Sequence, residues 1–189
     1  MSPSLPTASP SSAVEASFAT GDAVATLPLP MGQWVLNPKQ VVLAEPVSTS
    51  LVLVLFDKTF TASALAHILL PDSKLTPKDL VVDEQTMPAQ FADKALPLML
   101  QALEAAGVAP TSLTARMVGG AQLFNFGGGG GNPLNVGSRN AIVCRALLAK
   151  NGVKVDKTNI GGNKTRRVLY FPQMGQLRIV MLGGETLTL

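Results

Sequence analysis

The chain carries one histidine, His67, and one cysteine, Cys144. A single histidine excludes any site that needs two imidazoles. A single cysteine excludes an internal disulfide framework and a cysteine-rich zinc site. What remains for covalent chemistry is a nucleophile beside His67. The hydroxyl cluster Ser48, Thr49 and Ser50 precedes it, with Ser50 seventeen residues ahead. If the apolar segments 51–56 and 64–70 pair as neighbouring strands, Ser50 and His67 face one another as nucleophile and base. That is the arrangement acyl transfer requires. A hydroxyl is far harder to ionise than a thiol, whose pKa is ~8.5. Such a serine needs a well-oriented base and an oxyanion hole. No carboxylate is evident as the orienting third member; Asp57 and Asp72 are candidates by proximity in sequence only. The competing reading of His67 is a hydrogen-bonded core histidine. Cys144 falls among Ile142, Val143 and Leu147 and reads as a small buried apolar side chain, since a reactive thiol needs an accessible, electropositive setting.

Other motifs carry weaker chemistry. Five glycines at 127–131 invite a phosphate loop, but Asn132-Pro133 follows where Gly-Lys-Ser/Thr is required, so a flexible loop is expected. Residues 136–140 and 159–163 are turn signals. Each is either purely structural or lines a site with backbone N–H groups. No motif calls for a cofactor or a metal.

The elements that must position these groups follow from pattern. Residues 34–36 form a short apolar run closed by Asn37-Pro38, and 41–43 a possible strand. Residues 51–56 are apolar throughout, which predicts a strand buried on both faces. Residues 64–70 predict a second strand, and 73–88, polar with two prolines, a surface loop. Phe91, Ala95, Leu98/Met99, Ala102/Leu103 and Ala106 recur at helical spacing up to Gly107. Pro97 fits such a helix if the regular part begins near Asp93 or Lys94. Residues 115–118 suit a strand. Ser138 is the expected N-cap of a second helix ending at Asn151, before Gly152. Residues 167–171 and 176–181 form a hairpin about a turn at 172–175. Strands both paired and alternating with helices predict a mixed α/β fold.

Composition sets the outer bounds. The 189 residues suffice for one domain with a sizeable core, placed at 28–189. Residues 1–27, rich in Ser, Ala, Pro and Thr, read as a disordered tail without the features of an export signal. The cytoplasm is therefore the expected location. No apolar run is long enough to span a bilayer, so no membrane insertion is expected. The net charge is +3, and residues 134–189 hold nine bases against two acids. Such a segment reads as a solvated basic face. Aromatic residues make up 5% of the chain, too few for stacking platforms, and nucleic acid is not an expected partner.

The order of motifs (50–57, 66–72, 91–93, 119–124, 136–140 and 161–163 ahead of Arg167-Val168) resembles the bacterial CheD family of chemoreceptor glutamine deamidases. The resemblance covers about 31–189. It implies a layered α/β/β/α sandwich with mixed sheets, similar to the cytotoxic necrotizing factor toxins. It implies hydrolysis of receptor glutamine side chains to glutamate with release of ammonia, through a thioester formed by a Cys with a His as base. Implied partners are the cytoplasmic region of methyl-accepting chemoreceptors and a CheC-like phosphatase; no cofactor is implied. Position by position, His67 matches the catalytic His and the nucleophilic Cys falls on Ser50. The Gly-Ser-Cys stretch reads Ser48-Thr49-Ser50. A site Thr six residues earlier is Ala44, and the glycine-rich approach is Glu45-Pro46-Val47. The Asp before the Gly-Gly-Asn turn is Asn159. Phe124 matches a position of CheC contact. Two readings follow: a protein with weak or lost chemistry and a retained binding role, or an active deamidase using Ser50 and His67.

Overall fold

The computed structural model describes residues 25–75, 85–123 and 136–189. Their order is β1 (Thr26–Pro28), β2 (Trp34–Leu36), β3 (Val41–Val47), β4 (Leu51–Asp57), β5 (Ser63–Ile68), α1 (Ala92–Ala105), β6 (Leu113–Gly119), α2 (Val136–Lys150), β7 (Lys154–Ile160), β8 (Arg166–Phe171), β9 (Gln176–Met181) and β10 (Thr186–Thr188). The strands make a central sheet, β2-β5-β4-β6-β7, and an outer sheet, β1-β3-β8-β9-β10. Both are mixed. β6 and β7 run parallel, as do β1 and β3, and the other neighbours are antiparallel. α2 supplies the crossover that the parallel β6–β7 step needs.

The central sheet is a wall shared by two cores. Strand alternation sends Leu51, Leu53 and Leu55 toward the helices, where they meet Leu96, Met99, Leu103, Cys144 and Leu148. Val52, Val54 and Phe56 point the other way, against Val42, Ala44, Val168, Tyr170 and Ile179 of the outer sheet. Burying each of the larger side chains stabilises the fold by about 1.5–3 kcal/mol. An apolar residue at every position from 51 to 56 thus has its reason: β4 has no solvent face.

The expected two-sheet, mixed α/β fold is present, with both described helices on one side of it. Among the described residues the layers therefore run helices, central sheet, outer sheet. The far face of the outer sheet carries a small apolar group, Val41, Leu169 and Phe171, with no described helix above it.

Several boundaries differ from the sequence expectation. β1 begins at Thr26, two residues before the expected edge of the domain, because it gains β3 as a parallel partner. α1 begins at Ala92, so Pro97 is beyond the first turn; its ring is on the exposed side, where the missing N–H leaves only the Asp93 carbonyl without its helical donor. Ser138 is not an N-cap. α2 starts at Val136, and Ser138 is its third residue. β7 was absent from the pattern because none of its residues is buried: among the described residues it is an edge strand that pairs with β6 alone. The tail residues 1–24, the glycine run and Phe124 lie outside the described residues.

Candidate active site

Ser50 immediately precedes β4, and His67 lies within β5. The ladder pairs Leu51 with Ile68 and Val52 with His67. Continued by one residue, this register makes Ser50 the diagonal neighbour of His67 on the face turned to the outer sheet, within reach of a long side chain. The Ser50 hydroxyl oxygen is 2.9 Å from His67 Nε2. Nδ1 of the same ring is 3.2 Å from the Leu29 carbonyl oxygen. A carbonyl only accepts, so Nδ1 carries the proton, and Nε2 is left to accept from the Ser50 hydroxyl. The expected confrontation of hydroxyl and imidazole is therefore present, and both residues are buried. Burial pushes the His67 pKa below its usual value, against an upward pull from the Leu29 hydrogen bond. The imidazole is neutral at pH 7, with its lone pair aimed at a hydroxyl, as a general base requires.

The orienting partner is a correction to the sequence reading. Neither Asp57 nor Asp72 fills that role, because Nδ1 is taken by the backbone of Leu29. Asp57 sits at the other end of β4 and accepts from the N–H groups of Thr59 (3.1 Å) and Ala62 (2.7 Å). Asp72 accepts from the N–H of Lys74 at 2.8 Å. A carbonyl fixes the tautomer as a carboxylate would, but supplies no full charge to stabilise an imidazolium.

The turn carrying Ser50 is held from two separate places in the sequence. The N–H of Ala121 donates to the Ser48 carbonyl at 2.7 Å, and that of Gly120 to the Ser50 carbonyl at 2.8 Å. The Asn140 side-chain amide donates to the Thr49 carbonyl at 3.0 Å and to the Leu69 carbonyl at 2.8 Å. Gly119 has φ +126°, and a Cβ there would stand 2.2 Å from the Ser50 carbonyl oxygen. The segment 159–162 closes the ring: the Gly161 N–H donates to Gly119 at 3.0 Å, and Gln122 donates to Gly162 at 2.8 Å. The motifs at 119–122, 136–140 and 159–162 read as separate turns in the sequence. In the fold they form one cradle around residues 48–50, and the first turn of α2 is part of it.

Arg166 braces the same cradle. Its guanidinium donates to Asn159 Oδ1 (2.7 Å), the Gly161 carbonyl (2.6 Å) and the Lys164 carbonyl (3.0 Å). Arg166 is buried, so it is not part of a solvated basic face as the charge count suggested, and burial lowers its pKa. Ala44 is buried in β3 opposite Val168 and faces the core between the sheets. A methyl there offers no hydrogen bond. Cys144 lies on the helix side of the central sheet, whereas Ser50 and His67 belong to the face turned to the outer sheet. Burial pushes its thiol up to about 12, as expected of an inert packing residue.

The sequence model of the CheD family, described as CheD chemotactic sensory transduction, matches residues 69–181. A probable chemoreceptor glutamine deamidase CheD of Desulforamulus reducens is 34% identical over 131 residues, 69% of this chain and 75% of that protein.

The chain belongs to the CheD family.

The chemoreceptor glutamine deamidase CheD of Halalkalibacterium halodurans is 31% identical over 145 residues, 77% of this chain and 86% of that protein. A crystal structure of Neisseria meningitidis protein NMB0706 aligns with a TM-score of 0.44 at 13% identity, covering 80% of this chain and 69% of that one. The CheD match at 69–181 takes in both helices and β6 to β9, with the cradle motifs at 119–122, 136–140 and 159–162. Ser50 and His67 precede it. No helix among the described residues is long and apolar enough to cross a membrane. Among those residues, no group of three or more His, Cys, Asp and Glu could hold a metal ion.

Sequence reasoning found the facing pair, Ser50 and His67, and missed what holds it. The Leu29 carbonyl has no sequence signal, because every residue carries one. Asn140 had a signal, its place in the 136–140 motif, but that motif was legible only as a turn.

Proposed function

We propose that this CheD protein engages the cytoplasmic region of chemoreceptors with a hydroxyl in the nucleophile position, so that glutamine hydrolysis is slow and docking is its main role. The observation that carries the reading is the 2.9 Å contact between Ser50 Oγ and His67 Nε2. It supports an assembled nucleophile–base pair and, at the same time, assigns a hydroxyl to it. Three features work against that hydroxyl. Its pKa lies far above the ~8.5 of a thiol. The depressed pKa of His67 makes the imidazole a weaker base. The partner of Nδ1 is a neutral carbonyl, and in serine triads loss of the carboxylate lowers kcat on the order of 10⁴-fold. With Ala44 at the position where the family resemblance implies Thr, the site has no added hydroxyl to compensate.

The test follows amide-to-acid conversion in a chemoreceptor cytoplasmic fragment by mass spectrometry. Ser50→Cys is expected to convert glutamines faster than the native chain. His67→Ala in that background is expected to lower the rate by about 10²–10⁴-fold, the usual worth of a general base. Native conversion as fast as that of Ser50→Cys, abolished by His67→Ala, would establish an active serine deamidase instead. Retention of the fragment on immobilised native protein reads the docking role, and its absence removes that role. A CheC-like phosphatase is the further partner proposed, through Phe124, with Phe124→Glu expected to abolish its capture.

A further inference from the structure

We propose that Asn140 is a positioning residue for the Ser50–His67 pair. The inference deepens the reading of that site and rests on it for its catalytic meaning alone. Asn140 is fully buried in α2, and its one amide nitrogen bridges two backbone carbonyls, Thr49 at 3.0 Å and Leu69 at 2.8 Å. Both partners only accept, so the orientation of the amide is fixed: the NH₂ group must face them.

The place of this bridge matters more than its strength. The β4–β5 ladder ends at the pair Leu51 and Ile68. Ser50 stands just outside the ladder, where backbone pairing with β5 no longer sets its distance from His67. Thr49 precedes Ser50, and Leu69 lies two residues beyond His67. By tying these two carbonyls to one nitrogen, Asn140 sets the spacing of the strand ends just where the ladder stops. The flanking carbonyls, Ser48 and Ser50, are held by backbone N–H groups, which any residue type supplies. At Thr49 the donor is a side chain, so here the geometry depends on residue identity. The remaining oxygen, Asn140 Oδ1, is buried and has no hydrogen-bond partner among the described residues. An unsatisfied buried acceptor is destabilising, and asparagine is a poor helix former. Packing alone therefore does not account for the residue; its two donated hydrogen bonds do.

The chain's one histidine makes the claim measurable without a catalytic assay. In the ¹⁵N–¹H spectrum of the full chain, the Nε2 resonance of His67 reports the Ser50 hydrogen bond, and Ser50→Ala gives the reference for its loss. Asn140→Leu keeps the branching at Cγ, favours the helix more than asparagine does, and donates nothing. It is expected to move the Nε2 resonance most of the way to the Ser50→Ala value. Leu148→Ala, a cavity in the same helix away from the cradle, is expected to lower Tm while leaving that resonance at its native position. A native Nε2 resonance in Asn140→Leu overturns the proposal, and so does an equal displacement in Leu148→Ala. Should Asn140→Leu fail to fold, Asn140→Ala, which also donates nothing, is read the same way. In the Ser50→Cys background, Asn140→Leu is expected to lower kcat at least tenfold with KM little changed. If Ser50→Cys itself shows no turnover, the reading of the function fails while the resonance still decides the role of Asn140.

Discussion

At the scale of the residue, the protonation of the one imidazole has a consequence for stability. Burial holds the folded-state pKa of His67 below the 6.5 it starts from. The unfolded chain therefore takes up this proton first as the pH falls. The contribution of neutral His67 to stability is complete above about pH 6.5 and is lost as the pH falls through the folded-state value. Urea titrations from about pH 7.5 to about pH 5 are expected to show the native chain losing stability over this window, and His67→Gln losing distinctly less. Equal pH slopes in the two proteins would mean that the folded state does not hold the ring neutral. The same burial explains why the residue was legible in two ways from sequence. His67 is a hydrogen-bonded core histidine, and its other ring nitrogen also faces Ser50. The two readings were never exclusive, because the wall that buries the ring also aims it.

At the scale of elements, legibility followed solvent contact. β4 was plain because a strand covered on both faces must be apolar throughout. β7 was not, since an edge strand with Lys154, Asp156 and Lys157 exposed carries little of the pattern that marks a strand. The start of α2 was misplaced for a related reason. Ser138 has the chemistry of a cap, whereas Gly137 is the residue that the packing demands. A Cβ on Gly137 would lie 2.5 Å from the Ala121 carbonyl oxygen and 2.6 Å from the Gly120 carbonyl carbon. Both are backbone atoms of the segment that holds Ser48 and Ser50. Two effects compete in Gly137→Ala. Helix propensity favours alanine by about 1 kcal/mol. Overpacking against fixed backbone costs about 1–3 kcal/mol. Overpacking is expected to win, lowering Tm and displacing the His67 Nε2 resonance, because the helix must back away from the cradle. A rise in Tm would show that the close approach of α2 does not constrain the turn.

At the scale of the whole molecule, the shared wall decides whether the two cores can part. Leu65 of β5 is buried in the core between the sheets, while Cys144 of α2 is buried on the opposite side of the same sheet. No side chain of one core can be exposed by opening β5 or β4 without uncovering the other core as well. Cooperative loss of both is then expected, as in a two-state domain. The single thiol gives a direct reading. Burial pushes Cys144 up to about 12, so alkylation in native conditions requires opening of the helix layer. Leu65→Ala removes apolar volume from the far core at a cost of about 2–5 kcal/mol. If the cores are coupled through the wall, the unfolding free energy read from Cys144 alkylation in urea falls by the same amount as that read from the ring NMR signals of Tyr170, the chain's one tyrosine, which sense the core between the sheets. If the helix layer opens on its own, Cys144 protection is unchanged in Leu65→Ala while the tyrosine transition shifts. Coupled loss would mean that the site, at the edge of the wall, shares the stability of the entire fold.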